Sequence, residues 1–546
     1  MPVEHVPVLI TGGSTVGLST AVALAQHGLR PMLVERRDGT LIHPRATGLH
    51  PPAREFFRST GLDAQMREAS AVLASSLTKF SVTTLAGDDL SKVERIPTPP
   101  EDVVAATLRI SPTDVNPCAQ DQIDRVLLAA AAERGVDVRF STELVSMTQD
   151  ESGVTATLLN RATDERYTVR ADYLVGADGS SSRVRELLGI PMEIEDRLGN
   201  PMIHILFDAD LGELIRGNEF NFCEIRHPDY EGLLLSINNR DRWVFHRSYD
   251  ETKESVADYP EERCLELIKG AIGLPDLPVK ILAMLPWRIS AGVADAVRDG
   301  RVFLAGDAIH VIPPIGGFGM STGIADAYNL SWKLAMVLRG HAGPGLLDTY
   351  SQERLPIAEF TRDQAVLRLR YMALHWDPRP EAEQERNMLR IADPLVTSSG
   401  YQYTEGAVLG AREELPSLED VEQNLDGSPG SRVPHVWVER KGEKVSTLDL
   451  AGTGFALLTG PDATGWQQAG QAVAEHTGLP LGVYRIGPGA EIDDPGSRFA
   501  TVAGIGEEGA LLVRPDNFVA WRATGAHPEP REQLTGILDA LLHRTA

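Results

Sequence analysis

The chain predicts a mixed α/β protein of three units, and three observations carry that prediction. Residues 6–35 run strand, Gly-rich turn, helix, strand, the order of a βαβ unit built on a parallel sheet. Residues 190–285 switch to two-residue alternation of apolar and polar side chains over several short stretches, which predicts a separate antiparallel sheet. Beyond residue 425, strand and helix patterns alternate again in a small C-terminal module. A length of 546 residues fits three or four domains at about 150 residues each.

Composition narrows the partners. Apolar residues make up 42% and charged residues 24% of the chain, so large cores can be buried. A net charge of −25 argues against nucleic-acid and anionic-membrane partners. Cys118, Cys223 and Cys264 lie far apart and no CxxC pair occurs, so neither a disulfide framework nor a metal site is expected. The N-terminus enters an apolar strand almost at once, and no run is long enough to span a bilayer. A cytoplasmic protein without signal peptide is the expectation.

The first unit carries a dinucleotide fingerprint. The strand around Val8-Leu9-Ile10 leads into Gly12-Gly13-Ser14-Thr15-Val16-Gly17, and an Ala-rich helix follows as far as Gly28. A second strand, Met32-Leu33-Val34, ends in Glu35. Gly12 allows the tight turn, Gly17 allows close helix–strand packing, and the acid at the end of the second strand suits a ribose hydroxyl. The middle fingerprint glycine is replaced by Ser14, whose hydroxyl could itself bond a phosphate. Arg36 and Arg37 follow, then Arg45 in a Pro/Gly-bounded loop. Arg45 reads either as a solvated charge or as a group beside a ligand.

Two more strand-to-turn motifs lie downstream. Tyr173-Leu174-Val175-Gly176 runs into Ala177-Asp178-Gly179-Ser180. Residues 302–305 run into Gly306-Asp307, then a loop Pro313-Pro314-Ile315-Gly316-Gly317-Phe318-Gly319, and a helix with Thr322, Gly323, Asp326, Asn329, Trp332 and Lys333. The small residues let backbone press against a ligand, and the helix N-terminus offers unpaired N–H groups. His310, beside Asp307, reads either as hydrogen-bonded within its own loop, the favoured reading, or as a general base. Residues 376–385 and 424–434 read as linkers. The aromatic residues of the alternating region, among them Trp243, Phe245, His246 and Trp287, serve either core packing or a cavity.

Taken together and in this order, the three motifs resemble the group A FAD-dependent aromatic hydroxylases, the para-hydroxybenzoate hydroxylase-like monooxygenases. Within that family the chain looks most like the bacterial aromatic-polyketide hydroxylases. The pattern Asp326-Ala327-x-Asn329-Leu330-x-Trp332-Lys333 and the later Tyr350-x-x-Glu353-Arg354 extend the resemblance. It implies a Rossmann-like FAD-binding domain of the GR2 type from residues 1–75, 100–190 and 286–400. It implies an antiparallel β-sheet substrate domain from 76–99 and 191–285. It also implies a thioredoxin-like C-terminal domain over 425–546 without redox cysteines.

The resemblance also implies roles. Gly12, Gly13, Ser14, Val16 and Gly17 would hold the FAD pyrophosphate and Glu35 the adenosine ribose, with Arg36 adjacent. Arg45 and Gln120 would lie near the cofactor. Asp178 would help close the site and serve both FAD and NAD(P)H. Gly306 and Asp307 would meet the ribityl–phosphate side. Pro314, Gly317, Gly319, Met320 and Ser321 would border the ring. Ser321 stands where the family often has Asn. Phe222, Phe245, Trp287 and Pro314 would contact substrate.

The implied reaction uses NAD(P)H and O2 to hydroxylate a polycyclic aromatic polyketide or phenol through a flavin C4a-hydroperoxide. The expected partners are that small molecule and O2, with no nucleic acid or membrane, in a monomer or homodimer. No side chain is assigned as catalytic base. The same motifs admit epoxidation or Baeyer–Villiger oxidation. A flavin-binding regulatory or interaction protein is the alternative of another class. A flavin halogenase is disfavoured because no Trp-x-Trp-x-Ile-Pro motif occurs.

Overall fold

A computed structural model describes residues 3–43, 46–377 and 379–544. Its organising element is a sheet whose parallel strands are β1 (Glu4–Thr11), β2 (Met32–Val34), β3 (Asp137–Arg139), β4 (Glu165–Gly176) and β5 (Val302–Leu304). Their spatial order is β5-β4-β1-β2-β3, each neighbouring pair parallel. The strand ends read as continuous apolar runs because both faces are covered. Helix α1 (Thr15–Gln26) packs against both α2 (Gln120–Glu133) and α3 (Phe318–Leu338) over this sheet. The chain leaves β1 toward β2 on one side and finds β4 on the other, so the carboxyl end of β1 is a topological switch point.

The second sheet has seven strands. It draws Thr78–Val82 into the same layer as Met202–Asp208, Phe222–Ile225, Gly232–Ser236, Arg242–Ser248 and Lys280–Trp287. The expectation of a purely antiparallel sheet needs one amendment. Thr78–Val82 pairs parallel with Phe222–Ile225, because a distant segment enters from the first layer rather than through a hairpin. One face packs on the helix Glu261–Ile272 through Phe80, Ile203, Ile205, Trp243, Phe245, Leu267 and Ile268.

The C-terminal module forms a third large sheet. Phe455–Thr459 pairs parallel with Leu481–Gly487 and antiparallel with Ala510–Val513, which Val519–Ala523 extends. The helices Thr464–Thr477 and Pro530–Leu541 share one core with that sheet. This is the thioredoxin-like arrangement, and all three cysteines lie outside it, each buried and unpaired.

Two expected linkers are not linkers. Residues 380–388 form the helix Pro380–Met388, with Pro at its first position and Glu381 and Glu383 in its first turn. Residues 424–434 are buried along nearly their whole length. Gly430 donates its N–H to Val519 and accepts from Tyr403 N–H, and the buried Arg432 pairs with Glu55 and bonds the Ile110 carbonyl. This segment is a seam between the C-terminal module and the first layer. Among the described residues no helix is long and apolar enough to cross a membrane.

Candidate active site

Strand register brings the three sequence motifs into one row. Thr11 at the end of β1 lies opposite Val34 of β2 and Gly176 of β4, and Gly176 lies opposite Leu304 of β5. One residue further, the backbone zips across the row: Gly12 N–H donates to Val34, Ala177 N–H to Thr11 and Ala305 N–H to Gly176. Glu35, Gly12, Asp178 and Asp307 therefore gather on the carboxyl edge of one sheet.

Gly12 has φ +108°. A Cβ there would overlap the Ala177 carbonyl oxygen and lie 2.6 Å from its carbon. A Cβ on Gly17 would overlap the Gly12 oxygen, so α1 starts hard against the turn. Glu35 is buried and accepts from Gly13 N–H at 2.8 Å and Arg37 N–H at 2.9 Å. Arg36 is exposed beside it. Neither α1 nor α3 carries an acid in its first turn. In a chain of net charge −25, that leaves two helix N-termini suited to anionic groups. Arg45, assigned a place near the cofactor, lies outside the described residues.

Ser14 departs from its expected role. Its hydroxyl donates to Asp124 Oδ2 of α2 at 2.9 Å rather than standing free for a phosphate, and Thr15 bonds the other oxygen of that carboxylate. Gln120 Nε2 reaches Thr15 Oγ1 at 3.2 Å and Ser14 Oγ at 3.4 Å. Asp124, fully buried, thus pins the start of α1 from beneath. Burial pushes its carboxyl up to about 6, against the pull of the Thr15 and Ser14 hydroxyls. The native state then holds this proton more tightly than the unfolded chain does. The stability from the group is full below the unfolded value of 3.8 and is lost as pH rises through 6. At one pKa unit per 1.36 kcal/mol, wild type should lose about 2 kcal/mol relative to Asp124→Asn between pH 4 and pH 7. Parallel urea titrations of the two proteins check this, and an unchanged gap across that range would refute it.

Asp178 is committed to its own helix. Its carboxylate accepts from Arg183 N–H at 2.8 Å, Val184 N–H at 3.1 Å and the Ser182 hydroxyl, capping Arg183–Leu188. Gly306 has φ +63° and packs against Val16, as does Gly323. Asp307 stands exposed at the tip of the turn Gly306–Ala308. Pro313 is buried and Pro314 exposed. Gly317, at φ +68°, is the residue from which α3 starts, and Gly319 and Met320 lie half-buried in its first turn. Ser321 is buried and its hydroxyl accepts from His50 N–H at 3.1 Å. The His50 ring bonds the Gly316 carbonyl at 2.8 Å and stacks on Phe318 at 5.1 Å. Burial lowers the His50 pKa to about 4, so it braces the loop as a neutral ring.

Beneath the loop, sequence reasoning missed a buried charge lattice. Asp326 accepts from Gly306 N–H at 3.0 Å, His310 Nε2 at 2.8 Å and Arg354 Nε at 2.7 Å. His310 is therefore tied to α3 rather than within its own loop. Glu353 meets Lys333 at 2.8 Å, Asn329 at 2.6 Å and both terminal nitrogens of Arg514, which also bonds Asp516 at 2.9 Å. Three carboxylates face three cations, all buried. Burial alone would push the Glu353 carboxyl up, but Arg514 and Lys333 outweigh it and hold it down to about 2.

The seven-stranded sheet closes over this edge with its second face. Leu206, Ile237 and Val244 pack on Ala119, directly before Gln120. Phe222 is paired with Leu235 on that same face. Phe245, assigned to substrate, is not there. Its side chain points the other way, into the core with Trp243, because neighbours in a strand alternate. The residue on the closing face is His246. Trp287 is near it, with its ring 5.0 Å from that of His204.

A topological switch point with a glycine turn, the buried Glu35 at the end of β2 and a second sheet folded over the edge is the arrangement of a dinucleotide-dependent enzyme. Residues 5–365 match the FAD binding domain family, and residues 426–545 match the aromatic-ring hydroxylase C-terminal domain. The chain belongs to this family of FAD-dependent aromatic-ring monooxygenases. It is 41% identical to tetracenomycin A2 monooxygenase-dioxygenase of Streptomyces glaucescens, over 100% of this chain and 98% of that one. It is 37% identical to aklavinone 12-hydroxylase of Streptomyces purpurascens, over 99% of each. A crystal structure of aklavinone-11 hydroxylase in ternary complex with FAD and aklavinone superposes with a TM-score of 0.86 at 36% identity, covering 100% of both chains.

Proposed function

We propose that the protein hydroxylates a phenolic ring of a polycyclic aromatic polyketide, using NAD(P)H and O2, as a monomer or homodimer in the cytoplasm. The observation that carries this reading is the common row of strand ends at Thr11, Val34, Gly176 and Leu304, roofed by the second face of the substrate sheet. FAD bound along that row supplies the oxygen-transfer chemistry. The acid-free start of α1, with Gly12, Gly13, Val16, Gly17 and the backbone of Ser14, receives the pyrophosphate, and Glu35 the ribose. Asp307, exposed at the far end of the row, faces the ribityl side. Gly317, Gly319, Met320 and Ser321 offer the N-terminus of α3 to negative charge on the ring. Phe222, Trp287 and Pro314 border the substrate, and the sheet above excludes water. Full-length relatives named for oxidation of tetracenomycin and aklavinone support the polycyclic substrate class.

The test is purified protein with FAD, NADH or NADPH, and a panel of polycyclic and monocyclic phenols, followed by nucleotide oxidation and product mass. Gain of one oxygen on a polycyclic substrate is the expected result. Oxidation confined to monocyclic phenols would overturn the substrate class. Protein unable to bind added FAD would overturn the whole reading. Asp307→Ala is expected to lose FAD on gel filtration at least tenfold faster than wild type.

A further inference from the structure

The closing face of the substrate sheet carries an unusual stack of imidazoles. His204 and His246 lie directly opposite each other in the antiparallel pair of Met202–Asp208 with Arg242–Ser248. Their rings are 3.8 Å apart and 5° from parallel. Trp287 flanks His204 at 5.0 Å, and His43 lies over it at 6.0 Å. His43 belongs to the stretch that runs on to Ala46 and Thr47, whose carbonyls accept from Gln120 N–H and Cys118 N–H. Two residues before His246 on the same face, Val244 packs on Ala119. The stack therefore lies on the face of the sheet that packs toward Ala119 and the start of α2.

His204 is buried and His246 half-buried on this face. Burial, and then the neighbouring His204 and His43, push the His246 pKa well below 6.5, so its ring is neutral near pH 7 and keeps an acceptor nitrogen. The nearest acid in the same row of this face, Glu224, is taken up by Ser81 and Arg226. Arg247 points to the opposite side, toward Glu231.

We propose that His246, seated on His204, accepts the hydrogen bond of a phenolic hydroxyl on the aromatic substrate and so fixes which edge of the ring system faces the cofactor. The flat His204–His246 pair also offers its edge to a flat polycycle, with Trp287 as apolar flank. The inference rests on the polycyclic-phenol reading above.

The experiment compares two probes on the FAD-bound protein by flavin fluorescence: 2-hydroxyanthraquinone and unsubstituted anthraquinone. In His246→Phe, which keeps a flat ring on His204, the Kd of the hydroxylated probe is expected to rise at least tenfold and that of anthraquinone less than twofold. His246→Asn, which keeps an acceptor, is expected to recover much of the lost discrimination. Equal weakening of both probes, or no weakening of either, would overturn the assignment. Wild-type protein that binds neither probe would instead overturn the polycyclic reading on which it rests.

Discussion

Gly12→Ala protein is expected to purify without bound flavin, or to fail to fold. Two effects add at this position. A φ of +108° costs a side chain of order 1–3 kcal/mol. In addition, the new Cβ would overlap the Ala177 carbonyl, which is held in place because Ala177 N–H is bonded to Thr11. Relief requires β1 and β4 to part at the row where the cofactor motifs meet. The readout is the 450 nm to 280 nm absorbance ratio after gel filtration, with Gly525→Ala as control, since nothing lies within 4 Å of a Cβ there. A Gly12→Ala protein with full flavin content would show that this close approach does not govern cofactor binding.

Arg514→Met should give the largest loss of stability among the side chains of the C-terminal module. It leaves Glu353 and Asp516 buried with one cation fewer than the lattice needs, and breaking a buried pair in this way costs about 3–5 kcal/mol. The loss should concentrate at the seam, because Arg514 and Asp516 come from the C-terminal module while Glu353, Lys333 and Asn329 come from the first layer. Limited proteolysis is therefore expected to release a C-terminal fragment from the variant under conditions that leave wild type whole. Identical digestion of the two proteins would count against a seam held by charge. The bidentate Arg58–Asp449 pair at 2.6 and 2.8 Å is only half-buried and should matter less.

What was legible in the sequence is what chemistry writes locally. An apolar run followed by Gly or Asp announces a buried parallel strand and its turn, so Gly12, Glu35, Asp178 and Asp307 could be found in advance. Their arrival at one edge followed from the fold class those runs imply. Asp124 was not legible. In Gln120-Asp121-Gln122-Ile123-Asp124-Arg125 it looks like any helix-surface charge, and its partner Ser14 is 110 residues away. Phe245 and His246 illustrate a different limit. Alternation separates the two faces of a strand, but here both faces are covered, one by a helix and one by the cofactor layer. Alternation therefore could not say which of the two neighbours faces the cofactor layer. The segment 424–434 was misjudged because Gly, Ser and Pro usually mean exposure, whereas here they let backbone pair closely with Val519. The helix Pro380–Met388 did carry a readable signal, proline and acids at its start, which its acid-rich composition obscured.

The strand order has a consequence for how the protein is made. At about 5–20 residues per second, the nucleotide loop after β1 would leave the ribosome some 15–60 s before β5 completes the row beside it. For the first half of that interval β1 lacks β4 on one edge; until its end β4 lacks β5, and α1 lacks α3 against which it packs. Flavin can lock the site only after most of the first 340 residues exist. Cofactor capture should thus be a late event in biogenesis, and flavin supply should govern the yield of folded protein more than the rate of its synthesis.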